Sequence, residues 1–391
     1  MDKHKSKESI FSLRKIKNVL SIILILSFAL ITLSACNGII DDLVSRPGHT
    51  LVVVDPDDPD TDDEYVYIEE EFVPSREEAE IYTGFYSPLT GLPTWEDVSN
   101  RRPIAIMINN VRQGLPQVGT SRADVIYETL VEGGLTRTVA LFSDYASAGT
   151  IGGVRSTRQG FVDIAQAHDA ILMHAGGSPD ALSLIRNRSL DAINEIGGPR
   201  GRNIFFRDAG RRSQLGSEHS LMTSGERIAN EIDTFGFRLE HRDNFEQPFQ
   251  FVEDGTPAGG ADANRVVVTF SAAKSTTFVY DSNTGRYYIE QFDRAHIDAG
   301  NNTQLSVTNV IVIRTTIVGI PGDDAGRQRT TTEGSGTGYF INGGRVVEIN
   351  WRRDSLNDPF TFTLADGSPL FLGIGRSYIC IIPTNQTVNF S

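Results

Sequence analysis

From about residue 84 to 248, continuous apolar runs alternate with segments that carry helix-start signals. Residues 103–108 read PIAIMI, the pattern of a strand covered on both faces, and the run stops at Asn109-Asn110. Residues 124–131 alternate in polarity, Gly133-Gly134 offers a two-residue turn, and residues 135–142 run back as the hairpin partner. Ser156 can open a helix reaching His168, residues 170–175 form a second buried strand, and Ser178-Pro179 opens another helix with Pro in its favoured first position. Thr223-Ser224-Gly225-Glu226 fits a capping box for a helix ending near Asp233. This pattern predicts an α/β layered N-terminal domain over 84–248.

A Gly- and Pro-bearing stretch at 249–261 reads as a linker, and beyond it the rhythm changes. Segments 265–270, 276–281, 286–292, 309–317, 338–341, 345–351, 360–364 and 377–382 all read as strands. Turns containing Asn-Thr-Gly, Asn-Gly-Gly and Asp-Gly join several of them, and no helical period interrupts. Residues 262–391 therefore read as a smaller, mostly antiparallel β C-terminal domain.

The first 83 residues read as an address and a tether. Six basic residues lie within 1–17, an uncharged stretch spans 19–33, and Leu33-Ser34-Ala35-Cys36 follows. A basic n-region, a short apolar h-region and small residues before a cysteine form the pattern of a bacterial lipoprotein signal peptide over 1–35. It places lipid on Cys36, and the expected location is the outer face of the cytoplasmic membrane. Between 41 and 80, fifteen acidic residues face only Arg46 and Arg76, so 36–83 reads as an extended, self-repelling tether.

Composition narrows the function further. The formal net charge of −14, from 36 Lys+Arg against 50 Asp+Glu, argues against a nucleic-acid partner. Two cysteines cannot build a disulfide scaffold, and with Cys36 lipidated, Cys380 reads as a small buried hydrophobe in the run YICII. No Walker A pattern, GxGxxG or HExxH occurs, so no cofactor or metal is implied.

Candidate chemistry gathers in the first body. The two-residue turn would place Glu128, Leu130 and Glu132 on one strand face with Arg137 opposite Leu130. The glutamates would then lie roughly 13 Å apart, too far for a direct glycosidase pair. The segment GGVRSTR at 152–158 joins a strand to a helix start, where free amides and Arg155 or Arg158 could hold an anion. His174, in the sequence HAGGSP, repeats that logic at the next strand end, beside Ser178. Open α/β sheets bind ligands in such strand-end crevices. The bland reading is that the glycines turn the chain and the arginines pair with Asp163 or Asp208.

Taken together, these residues resemble the YerB-like family of bacterial lipoproteins. The resemblance rests on RPIA at 102–105 with Asn109-Asn110, ADVIYE at 123–128, VEGGLTR at 131–137, VRSTR at 154–158 and HAGGS at 174–178. In the second body it rests on His296-Ile297-Asp298 and TNVIV at 308–312. It spans roughly 84–391 and implies an exported, lipid-anchored protein with an α/β domain joined to a smaller C-terminal domain, but no activity. The chain departs from the family at Ser220, where Asn tends to follow His, and at Gly153, where Pro is common; His219 is accordingly a candidate site residue.

The expectation is a module that binds a polar or anionic envelope ligand, such as a cell-wall glycan fragment, through Asn109, Glu128, Glu132, Arg137, Arg155, Arg158, His174, Ser178 and His219. A hydrolase or transferase with a Glu acid/base, and a scaffold for a protein partner, are the alternatives.

Overall fold

The computed structural model describes residues 84–196 and 203–391; the signal peptide, Cys36 and the tether lie outside the described residues. The first segment contributes β1 (Ile104–Asn109), β2 (Val125–Leu130), β3 (Thr136–Phe142), β4 (Thr150–Gly152), β5 (Ile171–His174), β6 (Ala192–Asn194) and β7 (Leu221–Ser224). Its helices are α1 (Gln159–Ala167), α2 (Pro179–Asn187), α3 (Ala209–Leu215) and α4 (Gly225–Glu231). The second segment contributes β8 (Arg265–Ser271), β9 (Lys274–Asp281), β10 (Arg286–Gln291), β11 (Asn309–Thr315), β12 (Gly334–Asn342), β13 (Arg345–Arg353) and β14 (Ser377–Pro383).

The apolar runs become strands because each can be buried on both sides. All six residues of β1 and all seven of β3 are buried, as are the first six of β14. They lie inside an eleven-stranded sheet whose order runs Ala261–Asp262, β13, β12, β11, β14, β2, β3, β1, β5, β6, with Thr361–Leu364 also paired to β13. The first segment is a mixed sheet with helices. The second is mostly antiparallel, except that β14 runs parallel to β11. On its other side β14 runs parallel to β2, from Val125 opposite Ser377 to Thr129 opposite Ile381, so the two segments share one sheet.

Side chains alternate across that sheet and build two cores. On one face, Ile104, Ile106, Ile126 and Ala140 pack with Val266, Phe270, Phe278 and Ile289 of the second, six-stranded sheet, which holds β8, β9 and β10. On the other, Ala105, Met107, Tyr127 and Val139 pack with Phe161, Ile164 and Ala165 of α1 and Ala181 of α2. Residues of β8 alternate between buried and half-buried, as a strand covered on one face should.

One helix start matches its sequence signal, while the box of Thr223 with Glu226 is shifted by one residue, Thr223 donating instead to the Ile204 carbonyl. The Ser224 hydroxyl accepts from the Arg227 amide at 3.2 Å, capping α4, and Pro179 stands first in α2. Ser178 occupies the N-cap position of α2 with its buried hydroxyl unpartnered, so it gives that helix no side-chain cap. The helix expected to open at Ser156 begins at Gln159.

An arginine cluster as candidate functional site

The turn between β2 and β3 decides which carboxylates meet which cations. Leu130 pairs with Thr136 and Thr129 with Arg137, so five residues, 131–135, connect the strands. Gly133 and Gly134 take left-handed φ values of 69° and 71°, where a Cβ would be strained. The expected register, with Arg137 opposite Leu130, is off by one residue, and in a strand one residue means the opposite face. Arg137 therefore shares a face with Val139 and Leu141, whereas Glu128 shares the other with Ile126.

Glu128 is consequently not in a cleft. It is fully buried, and Oε1 accepts from Asn110 Nδ2 at 2.8 Å and Thr136 Oγ1 at 2.6 Å, while Oε2 accepts from Thr276 Oγ1 and Tyr378 Oη, both at 2.7 Å. Lys274 Nζ lies 3.0 Å from Oε1. Burial raises the carboxyl's pKa, but the Lys274 charge and the hydroxyl donors outweigh it and hold the pKa below its ordinary value. A carboxylate so enclosed and so bonded is not a surface acid/base. Cys380, on the same face, is fully buried with its thiol pushed well up by burial and by Glu128.

Glu132 lies in the turn itself and gathers two guanidiniums. Arg137 Nη2 donates to Oε1 at 3.0 Å, and Arg158 donates through Nε to Oε2 at 2.8 Å and through Nη2 to Oε1. Burial acts to raise the carboxyl's pKa, yet the Arg158 hydrogen bond and the Arg137 charge carry it down to about 2. Arg137, buried beneath, also donates to the Ser156 carbonyl at 2.8 Å. Its guanidinium is pushed down to about 10 by burial first and then by the charges of Arg158 and Arg155, against which Glu132 compensates only in part.

Arg155 extends the cluster toward solvent. Its Nη1 donates to the carbonyl and to the carboxylate of exposed Glu218, at 3.2 and 3.3 Å, while its enclosed Nε has no partner. Beside it, Asn109 Nδ2 donates to His219 Nδ1 at 2.9 Å, leaving the proton on Nε2, 3.5 Å from Glu218. Burial holds the pKa of His219 below the ordinary imidazole value. Gly114 allows this contact, since a Cβ there would overlap Asn109 Nδ2.

The Gly-rich segment does something other than expected. Instead of offering free amides, it wedges between the ends of β1 and β5. Val154 N donates to Leu221 O, Arg155 N to Met107 O and Thr157 N to Gly176 O, at 2.7, 2.9 and 3.0 Å, while Asn109 N and Ala175 N donate to its carbonyls. The strand-end crevice is thus occupied by the chain itself. His174 and Ser178 stand apart from the arginines' bonding. His174 Nδ1 donates to the Gly176 carbonyl at 2.8 Å, with burial lowering its pKa.

Glu132, Arg137, Arg155 and Arg158 thus come together, with Asn109 and His219 at one edge, while Glu128 is separated. Arg211 and Glu218, which the sequence did not single out, join that edge; Arg211 donates to the Pro116 and Gly114 carbonyls at 2.8 and 3.1 Å. Asp298 is a clasp: its carboxylate accepts from the Gly119 and Ser121 amides and the Ser121 hydroxyl. Among the described residues no group of three His, Cys, Asp or Glu side chains could hold a metal ion.

Two halves, a helix-bearing mixed sheet ending in an arginine cluster and a strand-rich partner that completes that sheet, define a two-part protein class. Family models described as "Protein of unknown function (DUF3048)" match it: the N-terminal domain at residues 89–238 and the C-terminal domain at 266–379. The chain is 28% identical over 309 residues to a Bacillus subtilis (strain 168) protein named "Putative lipoprotein YerB", covering 78% of this chain and 88% of that one. The crystal structure of YerB protein from Bacillus subtilis superposes with a TM-score of 0.65 at 26% identity, over 78% of this chain and 99% of that one. The chain belongs to the YerB-like family.

Proposed function

We propose that this chain is an exported, lipid-anchored envelope protein whose first domain, 84–248, binds an anionic envelope ligand such as a cell-wall glycan fragment. Arg137, Arg155 and Arg158 are the binding residues, and lipid on Cys36 holds the protein at the outer face of the cytoplasmic membrane. The carrying observation is one of charge. Two of the guanidiniums share Glu132, and the third bonds the carbonyl and the exposed carboxylate of Glu218. A carboxylate or phosphate entering beside Arg155 would satisfy its Nε and relieve the repulsion felt by Arg137. The name of one relative, "Putative lipoprotein YerB", supports the anchor, as do the small residues before the cysteine at 33–36.

Enzymatic use of Glu128 has no support in its surroundings, because each of its oxygens is already engaged. Binding and turnover separate in one experiment. The full chain in detergent is incubated with purified wall fragments, and both phases are read by mass spectrometry. Retention of intact fragments by the native chain, lost in Arg155→Ala, is expected. New fragment masses would replace the binder with an enzyme, and equal retention by Arg155→Ala would reject the cluster as the seat.

A further inference from the structure

The arginine cluster holds its two carboxylates in different ways. Glu132 accepts from two guanidiniums, through both Nε and Nη2 of Arg158 and through Nη2 of Arg137, and its side chain is 27% exposed. The Glu218 side chain is 65% exposed, and its Oε2 meets Arg155 Nη1 at 3.3 Å. Its Oε1 lies 3.5 Å from His219 Nε2, the nitrogen that keeps the proton because Nδ1 accepts from Asn109. The contacts of Glu218 are long and stand in water.

The backbone that carries Glu218 is nonetheless fixed. Ser217–His219 form a 3₁₀ turn after α3. The Ser217 carbonyl accepts from Arg207 Nη1 and from the Ser220 hydroxyl at 2.7 and 2.8 Å, and the Ser220 carbonyl accepts from the Asp208 amide at 2.9 Å. The His219 carbonyl accepts from Arg211 Nε at 3.3 Å. Arg155 Nη1 donates to the Glu218 carbonyl at 3.2 Å as well as to its carboxylate, so the guanidinium keeps a tie to the turn when the carboxylate leaves. An exposed ion pair contributes little, and a competing acid can break it.

We infer that Glu218 gates the arginine seat: in the unliganded protein its carboxylate stands where the ligand's acid group binds, one oxygen toward Arg155 and the other toward His219, and the ligand displaces it by turning the side chain outward. This gate rests on the binding reading above, and it specifies the ligand's acid as a carboxylate. Two oxygens on one carbon match the positions that Glu218 vacates, between a guanidinium and an imidazole N–H. A neutral sugar brings no charge to exchange for that of Glu218. Glu132 is not the gate, because displacing it would break bonds to two guanidiniums at once.

The test titrates the full chain in detergent with purified muropeptides, wall fragments that bear free carboxylates, following binding by calorimetry. Glu218→Gln keeps the size of the side chain and removes its charge; it is expected to bind about two- to fivefold more tightly than the native chain, the reach of an exposed ion pair. Damage to the fold would weaken binding, so the direction of the change separates a gate from a structural role. Glu246→Gln, which removes the same charge from an exposed loop position, is expected to leave the affinity unchanged. In an Arg155→Ala background the gain from Glu218→Gln is expected to vanish. Equal or weaker binding by Glu218→Gln, or an equal gain in Glu246→Gln, overturns the gate while saturable native binding keeps the seat. A gain that survives in Arg155→Ala overturns the gate too. No saturable binding by either the native chain or Glu218→Gln overturns seat and gate together.

Discussion

Lys274→Met is expected to destabilise the protein by about 3–5 kcal/mol, the range for breaking a buried ion pair by removing one partner. Lys274 is the only lysine after residue 36, and its side chain is 1% exposed. Its ammonium contacts Glu128, donates to Thr276 Oγ1 at 2.7 Å and lies 5.7 Å from the Phe270 ring centroid. Removing it strands the Glu128 carboxylate in the core without a counter-charge. Glu128→Gln should be damaging for the converse reason, because it strands the ammonium. The double variant Glu128→Gln/Lys274→Met carries neither charge and should lose less than the sum of the two. Urea denaturation of all four proteins checks this. Losses within about 0.5 kcal/mol for Lys274→Met would show that the pair does not hold β2 against β9.

Glu132→Gln is the second large effect, and it carries a pH signature. The Glu132 pKa falls from an ordinary value of 4.5 to about 2, a difference worth about 3 kcal/mol at roughly 1.4 kcal/mol per pKa unit. Because the folded value is depressed, the stabilisation is fully present above pH 4.5 and is lost as pH falls toward 2. The native chain should therefore exceed Glu132→Gln in stability by about 3 kcal/mol at pH 7 and by less than half of that at pH 3. A pH-independent gap would mean that the carboxylate's charge is not what secures Arg137 and Arg158. The variant should also bind an acidic fragment more tightly, since its three guanidiniums have lost the carboxylate that two of them share.

The strands were legible wherever burial dictates composition. The run at 103–108 reads as a doubly covered strand and β1 is one, and the segment 265–270 reads as a strand and lies within β8. What periodicity does not carry is pairing between distant segments. Nothing local in YICII says that β14 inserts between β11 and β2, and it is this insertion that brings the Tyr378 hydroxyl to Glu128. The register of the β2–β3 hairpin was misread for a related reason. Gly133-Gly134 has the look of a two-residue turn, yet Glu132–Gly134 forms a short 3₁₀ turn closed by Val131 and Leu135, and the added residues invert the face of Arg137. The grouping of Arg155 and Arg158 with Arg137 and Glu132 was legible from their loop positions. The occupation of the crevice by 153–157 was not, because those amides look free until their partners Met107, Gly176 and Leu221 are placed. Lys274 stood out in the sequence only as the sole lysine after residue 36, and its burial against Glu128 became visible only with β2 and β9 in place.

The arginine cluster as an anion seat is tested most directly by calorimetric titration of the full chain with acidic wall fragments before and after esterification of their carboxylates. Saturable binding that falls at least tenfold both on esterification and in Arg155→Ala is the predicted result. Binding indifferent to the fragments' charge, or unchanged when Arg155 is truncated, would contradict it.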